Sequence, residues 1–289
     1  MLNRIQIIDK RYKFLKKYLL KLISQNNIAD EIWTNRKCNL NQLTVNQKKI
    51  LMDKFKLTKL IKFSIGNGFT GQVFIKCDDM ISYVQHLKVP NWKIGILNMA
   101  NARIPGGGFT SGARAQEEAL CSRTDLYIGL LMAQQMGNYP LKFGYSFIVD
   151  GVNILLDNNF KFIQNNKNMA IISAAAKHYS TENEAYTDKQ MKDIMVQNWL
   201  SIIYAASMAN IDELVISALG CGAFNNPAEE VARQLFNALR ICVPGNIKKI
   251  SVIIFDDHNG QRKGGNFERF SKTFIQKYQQ ENKTFNLEY

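Results

Sequence analysis

From about residue 70 onward, short apolar runs alternate with longer amphipathic stretches, an order that few fold classes accommodate. Strands are expected at Gln72–Lys76, Trp92–Asn98, Ala170–Ala174, Leu214–Ala218 and Ile250–Phe255. The last four are almost continuously apolar, the pattern of strands covered on both faces. Helical periodicity lies between and after them, at Glu117–Leu131, Asp188–Met208, Pro227–Arg240 and Asn266–Gln280. Asn226 is the expected N-cap of the third helix, with Pro227 in the first turn and Glu229 completing a capping-box-like arrangement. Such alternation implies an α/β protein built as a three-layer α/β/α sandwich around a mixed, largely parallel sheet. Ligands of such sheets bind at the carboxyl ends of the strands, where the strand-to-helix loops gather.

The first 65 residues break this rhythm. Lys10–Ser24 carries Phe14, Leu15, Tyr18, Leu19, Leu22 and Ile23 at helical spacing, with Lys13, Lys16, Lys17 and Lys21 between them. A basic amphipathic helix can lie on a membrane surface. The favoured reading is an accessory helix that packs on the core and leaves its lysines in water. Residues 1–65 are therefore expected to form an N-terminal helical accessory region, and 66–289 the main α/β domain.

Thirty-seven Lys and Arg against 24 Asp and Glu leave a formal net charge of +13. That balance favours polyanionic partners, although it speaks to steering and solubility rather than fold. The five cysteines are widely spaced with no CxxC, and the three histidines are far apart, so neither a disulfide framework nor a Cys/His metal site is expected. The N-terminus shows no signal-peptide pattern, and no apolar stretch approaches the roughly 18 residues of a membrane span. The expected setting is soluble, reducing and cytoplasmic; export by a route that needs no signal peptide stays open.

Two loops carry the chemistry. The first follows the second expected strand and runs from Asn98 through Asn101 and Pro105 to Gly106, Gly107, Gly108 and Phe109. Three consecutive glycines permit φ > 0 and let backbone N–H groups approach an anion closely. The second loop, Gly220-Cys221-Gly222-Ala223-Phe224-Asn225-Asn226-Pro227, joins a buried strand to a helix start, a geometry suited to phosphate. It has neither the Lys-Ser/Thr of a P-loop nor GxGxxG spacing, so NTP hydrolysis and a Rossmann cofactor are not supported. Two such loops at strand ends suggest a diphosphate held between them. Phe224 either lies against a ribose or caps the core below.

Gln116-Glu117-Glu118 stands eight residues beyond the glycines, close enough to share their site. Taken alone, two acids at a helix start are an ordinary first turn. Beside the glycines they can divide labour, one as acid/base and the other gripping ribose hydroxyls. Adjacent helical residues point about 100° apart, so the pair cannot flank a sugar as ordinary glycosidase carboxylates do. Two carboxylates this close are expected to push one pKa upward.

Gly106–Gly108, seven intervening residues and Gln116-Glu117-Glu118 resemble the motif of bacterial-type poly(ADP-ribose) glycohydrolases, members of the macrodomain superfamily. Gly95–Asn98 is similar to the family's strand, Ala119–Tyr127 to its next helix, and Gly220–Pro227 to its second phosphate loop. The likeness spans roughly residues 70–256. It implies a macrodomain-like fold and cleavage of the glycosidic bond at the anomeric carbon of ADP-ribose, without cofactor or metal. It further implies Glu118 as catalytic acid/base, Glu117 on the ribose hydroxyls and Gln116 shaping the site. The diphosphate falls to Gly106–Gly108 and Gly220-Cys221-Gly222-Ala223-Phe224, with Asn98 and Asn101 completing the substrate set. Gln135–Asn168 and Asp256-Asp257-His258 depart from the pattern, which leaves polymer preference open.

The expected partners are ADP-ribose and poly(ADP-ribose) or an ADP-ribosylated protein, with no nucleic-acid specificity, since no RNP-like or helix-turn-helix pattern occurs. Two alternatives remain: a hydrolase of single, for example arginine-linked, ADP-ribose units, and a reader that binds ADP-ribose without cleaving it.

Overall fold

A computed structural model describes residues 13–19, 21–22, 33–34, 37–89, 91–163, 167–179, 188–256, 264–281 and 285–288. Residues 13–19 and 21–22 are helical. Leu15 and Leu19 of this segment are buried in the common core, while Lys13, Lys17 and Lys21 face water. Strands β1 (Trp33–Thr34) and β2 (Lys37–Cys38) form a small antiparallel ladder. Helix α1 (Val45–Lys54) begins at Thr44, whose side chain and that of Gln47 form a reciprocal capping box.

The remaining elements, in chain order, are β3 (Lys56–Leu57), β4 (Ile61–Lys62), β5 (Gln72–Cys77), α2 (Met80–His86) and β6 (Ile94–Met99). Then come α3 (Gln116–Arg123), α4 (Leu126–Gln135), β7 (Tyr145–Asn153), β8 (Asn168–Ala174), α5 (Asp188–Met208) and β9 (Glu213–Ile216). The chain continues through α6 (Ala228–Ile241), β10 (Lys249–Ile254), α7 (Asn266–Gln280) and β11 (Asn286–Glu288). The main sheet runs β11-β5-β10-β9-β6-β8-β7-β3, with β4 also paired to β7. The five strands expected from the sequence are its contiguous parallel centre, β5-β10-β9-β6-β8. Antiparallel β7, β3 and β4 close one side. Residues 56–62, N-terminal to the expected domain boundary at 65, thus contribute strands to this sheet.

The apolar runs explain the layering. All four residues of β9 are buried, as are five of six in β6 and in β10. Helices α5, α6 and α7 pack side by side, with Trp199, Phe236, Phe270 and Phe274 fully buried among them. Helices α2, α3 and α4 lie against β10, β6 and β7 on the opposite face, as right-handed crossovers require.

Two local expectations need correction. The helix expected over Glu117–Leu131 is two helices, because Thr124 is extended (φ −130°, ψ 174°). Its hydroxyl donates to Leu120 O, which also keeps the Thr124 N–H, and accepts from Leu126 N, an amide that a continuous helix would pair with the carbonyl of residue 122. Asp125 beside it is buried; it accepts from Asn153 N (2.8 Å) and Tyr18 OH (2.9 Å) and pairs with Lys54 (3.3 Å), tying the N-terminal helix to the core. The third expected helix has Pro227 rather than Asn226 at its N-cap position, with no side chain capping it from there. Asn226 turns inward to donate to Lys177 O (2.9 Å) and Gly220 O (3.2 Å), and Glu229 forms a bidentate pair with Arg269 (2.6 Å) instead of a capping box.

Candidate active site

Because β5, β10, β9, β6 and β8 are parallel, their following loops leave from one end of the sheet. Both sequence-predicted loops are therefore neighbours, following β6 and β9, which pair directly at Gly95 and Leu214.

The glycine loop is folded around the two acids. Asn101 accepts from the N–H groups of Arg103 (2.9 Å) and Ile104 (3.0 Å), turning the chain just after β6. Gly106 and Gly107 have φ of +73° and +53°. Glu117 Oε1 accepts from Gly106 N (3.1 Å) and Asn98 Nδ2 (3.2 Å), and its Oε2 from Asn101 N (2.7 Å). Glu118 Oε1 accepts from Gly108 N (2.7 Å). Although adjacent on a helix, the two carboxylates converge on Gly107. A Cβ there would lie 2.6 Å from Glu118 Oε1 and 3.1 Å from Glu117 Oε2. The Gly106 and Gly108 amides thus donate to the chain's own two acids.

Burial sorts the pair: Glu117 is 3% exposed and Glu118 8%. Removal from water is the main cause that lifts Glu117 to about 8; the charge of Glu118 adds to it, and the three N–H donors pull the other way. Glu117 therefore binds a proton more tightly folded than unfolded between its ordinary 4.5 and about 8. Its contribution to stability is present at low pH and is lost as pH rises through that window. Replacing it by glutamine removes this dependence. The stability of Glu117→Gln, read from its melting curves, is expected to gain on the parent's as pH rises from about 5 to about 8, by on the order of a few kcal/mol at most. Parallel melting curves across that range would contradict the assignment.

The remaining predicted residues support these two. Gln116 bonds the backbone of β6, donating to Leu97 O (2.7 Å) and accepting from Met99 N (2.8 Å), which fixes the start of α3 to the strand. Asn98 is fully buried and also donates to Ser173 Oγ (3.1 Å) of β8, a partner that no sequence signal marks.

The second loop is stapled across the sheet end. Tyr179 N donates to Phe224 O (2.8 Å), and the His178 and Phe224 rings lie 5.9 Å apart. Gly220 has φ +80°, and a Cβ there would collide with Asn226 Nδ2 and meet Ala176 at 2.8 Å. Cys221 is buried. The N–H groups of Gly222, Ala223 and Phe224 donate to none of the described residues, and they lie just ahead of α6. Three successive open amides before a helix N-terminus favour an anion. Asp256 caps α7 through Asn266 N (2.8 Å) and Phe267 N (3.1 Å), whereas Asp257 and His258 lie outside the described residues. Among the described residues no group of three His, Cys, Asp or Glu side chains is placed to hold a metal ion.

The family model described as microbial-type PARG, catalytic domain, matches residues 33–147, a stretch that contains the glycine loop and both carboxylates. The fold is shared with solved bacterial enzymes. Poly(ADP-ribose) glycohydrolase from Thermomonospora curvata is 18% identical over 92% of this chain and 100% of its own, with a TM-score of 0.62. The same enzyme bound to the inhibitor ADP-HPD aligns at 22% identity over 70% of this chain and 79% of its own, with a TM-score of 0.61. Poly(ADP-ribose) glycohydrolase from Deinococcus radiodurans in complex with ADP-ribose aligns at 22% identity over 73% and 87%, with a TM-score of 0.62. A comparison with curated proteins gave no match.

Proposed function

We infer that this chain, a member of the bacterial-type poly(ADP-ribose) glycohydrolase family with its macrodomain-like fold, hydrolyses the glycosidic bond at the anomeric carbon of ADP-ribose. The observation that carries the reading is the pair of carboxylates converging on Gly107, beside a second loop with three open amides on the adjacent parallel strand. Similar solved enzymes bound to ADP-ribose or to the inhibitor ADP-HPD support the choice of ligand.

The two loops divide the work. Gly222, Ala223 and Phe224 meet the diphosphate with their amides, reinforced by the N-terminal dipole of α6. Gly106–Gly108 fixes the acids and borders the same anion, with Asn98, Asn101 and Gln116 holding the loop and helix in place. Glu117 retains acceptor capacity on Oε2 for ribose hydroxyls. Glu118 transfers a proton to the leaving oxygen as the C1–O bond breaks, while the diphosphate stabilises the positive charge developing on the sugar ring. The resulting carboxylate then takes a proton from the water that adds to C1, which returns Glu118 to its starting state.

The test is release of ADP-ribose from poly(ADP-ribose) and from arginine-modified protein, run beside calorimetry with free ADP-ribose. Release from the polymer supports the family's activity in this chain. Release only from modified protein assigns it to single units, and tight binding without release from either substrate refutes a hydrolase.

A further inference from the structure

Five buried side-chain atoms have no hydrogen-bond partner among the described residues: Asn98 Oδ1, Arg123 Nη2, Tyr139 OH, Trp199 Nε1 and Glu213 Oε2. A buried hydroxyl left unpaired costs about 1–3 kcal/mol, and phenylalanine would fill the same space without that cost. Of these, Tyr139 belongs to a segment that borders the glycine loop. Its loop, between α4 and β7, is joined to the glycine loop through Leu141 N and Ala102 O (2.7 Å). The ring lies edge-on to Phe147 of β7, 5.6 Å between centroids. The ionisable groups whose charge acts on the hydroxyl are Glu117 and Cys121 of α3. Burial first, then these neighbours, hold the phenol well above its ordinary value, so it keeps its proton and can only be neutral. Among the described residues Glu117 Oε2 accepts from Asn101 N alone, and a carboxylate has about four acceptor positions, so room for a further donor remains.

We propose that Tyr139 is a positioning residue of this site, whose hydroxyl closes on the Glu117 carboxylate when the ribose hydroxyls of ADP-ribose engage that carboxylate. The inference rests on the ADP-ribose reading above. The unpaired hydroxyl is a donor held back from the free chain's network and used in the complex. Around Glu117 the other titratable groups are Glu118 and Cys121 of its own helix, and Asn98 and Asn101 are neutral donors. A donor to Glu117 favours its ionised form, the form that accepts from sugar hydroxyls.

Tyr139→Phe tests this in the full-length protein, by calorimetry with ADP-ribose from about pH 6 to about pH 9 alongside thermal melting. Removing an unpaired hydroxyl should leave the melting temperature unchanged or higher. Affinity at about pH 8 and above, where Glu117 is ionised, should fall by about tenfold, as expected for a lost hydrogen bond to a charged group, and the deficit should shrink as pH falls below that. Equal affinity across the range overturns the proposal, and so does a deficit that does not change with pH, which would mark a packing role. ADP-ribose release by the parent is measured in parallel. A parent that binds but does not release refutes hydrolysis and leaves the affinity profile to decide on Tyr139; a parent that does not bind refutes both.

Discussion

Glu118→Gln lowers the rate of ADP-ribose release by about 10²-fold or more and leaves ADP-ribose affinity largely unchanged. Glutamine has nearly the same shape, and its carbonyl can accept the Gly108 N–H that now binds Glu118 Oε1 at 2.7 Å. The loop therefore keeps its form and the open amides of Gly222–Phe224 keep theirs. What is lost is the group that gives a proton to the leaving oxygen and takes one from water. Single-turnover release and calorimetry on the same preparation separate the two effects. Full activity of the variant removes Glu118 from the chemistry, and a parallel loss of affinity makes it a binding residue instead.

Gly107→Ala is expected to be nearly as damaging, through geometry rather than chemistry. The backbone at Gly107 has φ +53°, where an L-residue costs on the order of 1 kcal/mol. That alone would barely move the melting temperature. The added methyl, however, falls 2.6 Å from Glu118 Oε1, so Glu118 must leave the Gly108 amide. Displacement of a catalytic group by about 1 Å can cost about 10²-fold in rate, and a loss of that size is predicted for turnover, with a fall of only a few degrees in melting temperature. Activity within about threefold of the parent would mean that the carboxylate works from somewhere other than the position beside Gly107.

What the sequence disclosed follows from where its signals are local. The central parallel strands were legible because each is a short, nearly uninterrupted apolar run, and α5 and α7 because their periodicity is long. Strand β7 gave no such signal, since Asp150 and Gly151 interrupt it and a bulge lies between Asp150 and Val152. The break between α3 and α4 was hidden because Thr124 and Asp125 sit inside an otherwise good helical pattern and act through partners as distant as Tyr18 and Asn153. Asn226 looked like a cap from its neighbours; its place is decided by Lys177, which belongs to the loop after β8.

The site divides in the same way. Its glycines and acids were visible because they fall within a dozen residues of one another. That the Gly106 and Gly108 amides bind the acids themselves was not, because it depends on how the loop folds back over α3. Ser173 beneath Asn98 and Tyr139, on which the charge of Glu117 acts, come from other loops and strands, and a single serine or tyrosine carries no pattern that would single it out.

The most direct measurement is a crystal structure of Glu118→Gln with ADP-ribose bound. The account predicts the diphosphate on the amides of Gly222, Ala223 and Phe224, with C1 of the terminal ribose within reach of residue 118 and the ribose hydroxyls turned toward Glu117. A ligand seated with its ribose away from Gly107, or with its phosphates remote from the 222–224 turn, would contradict it.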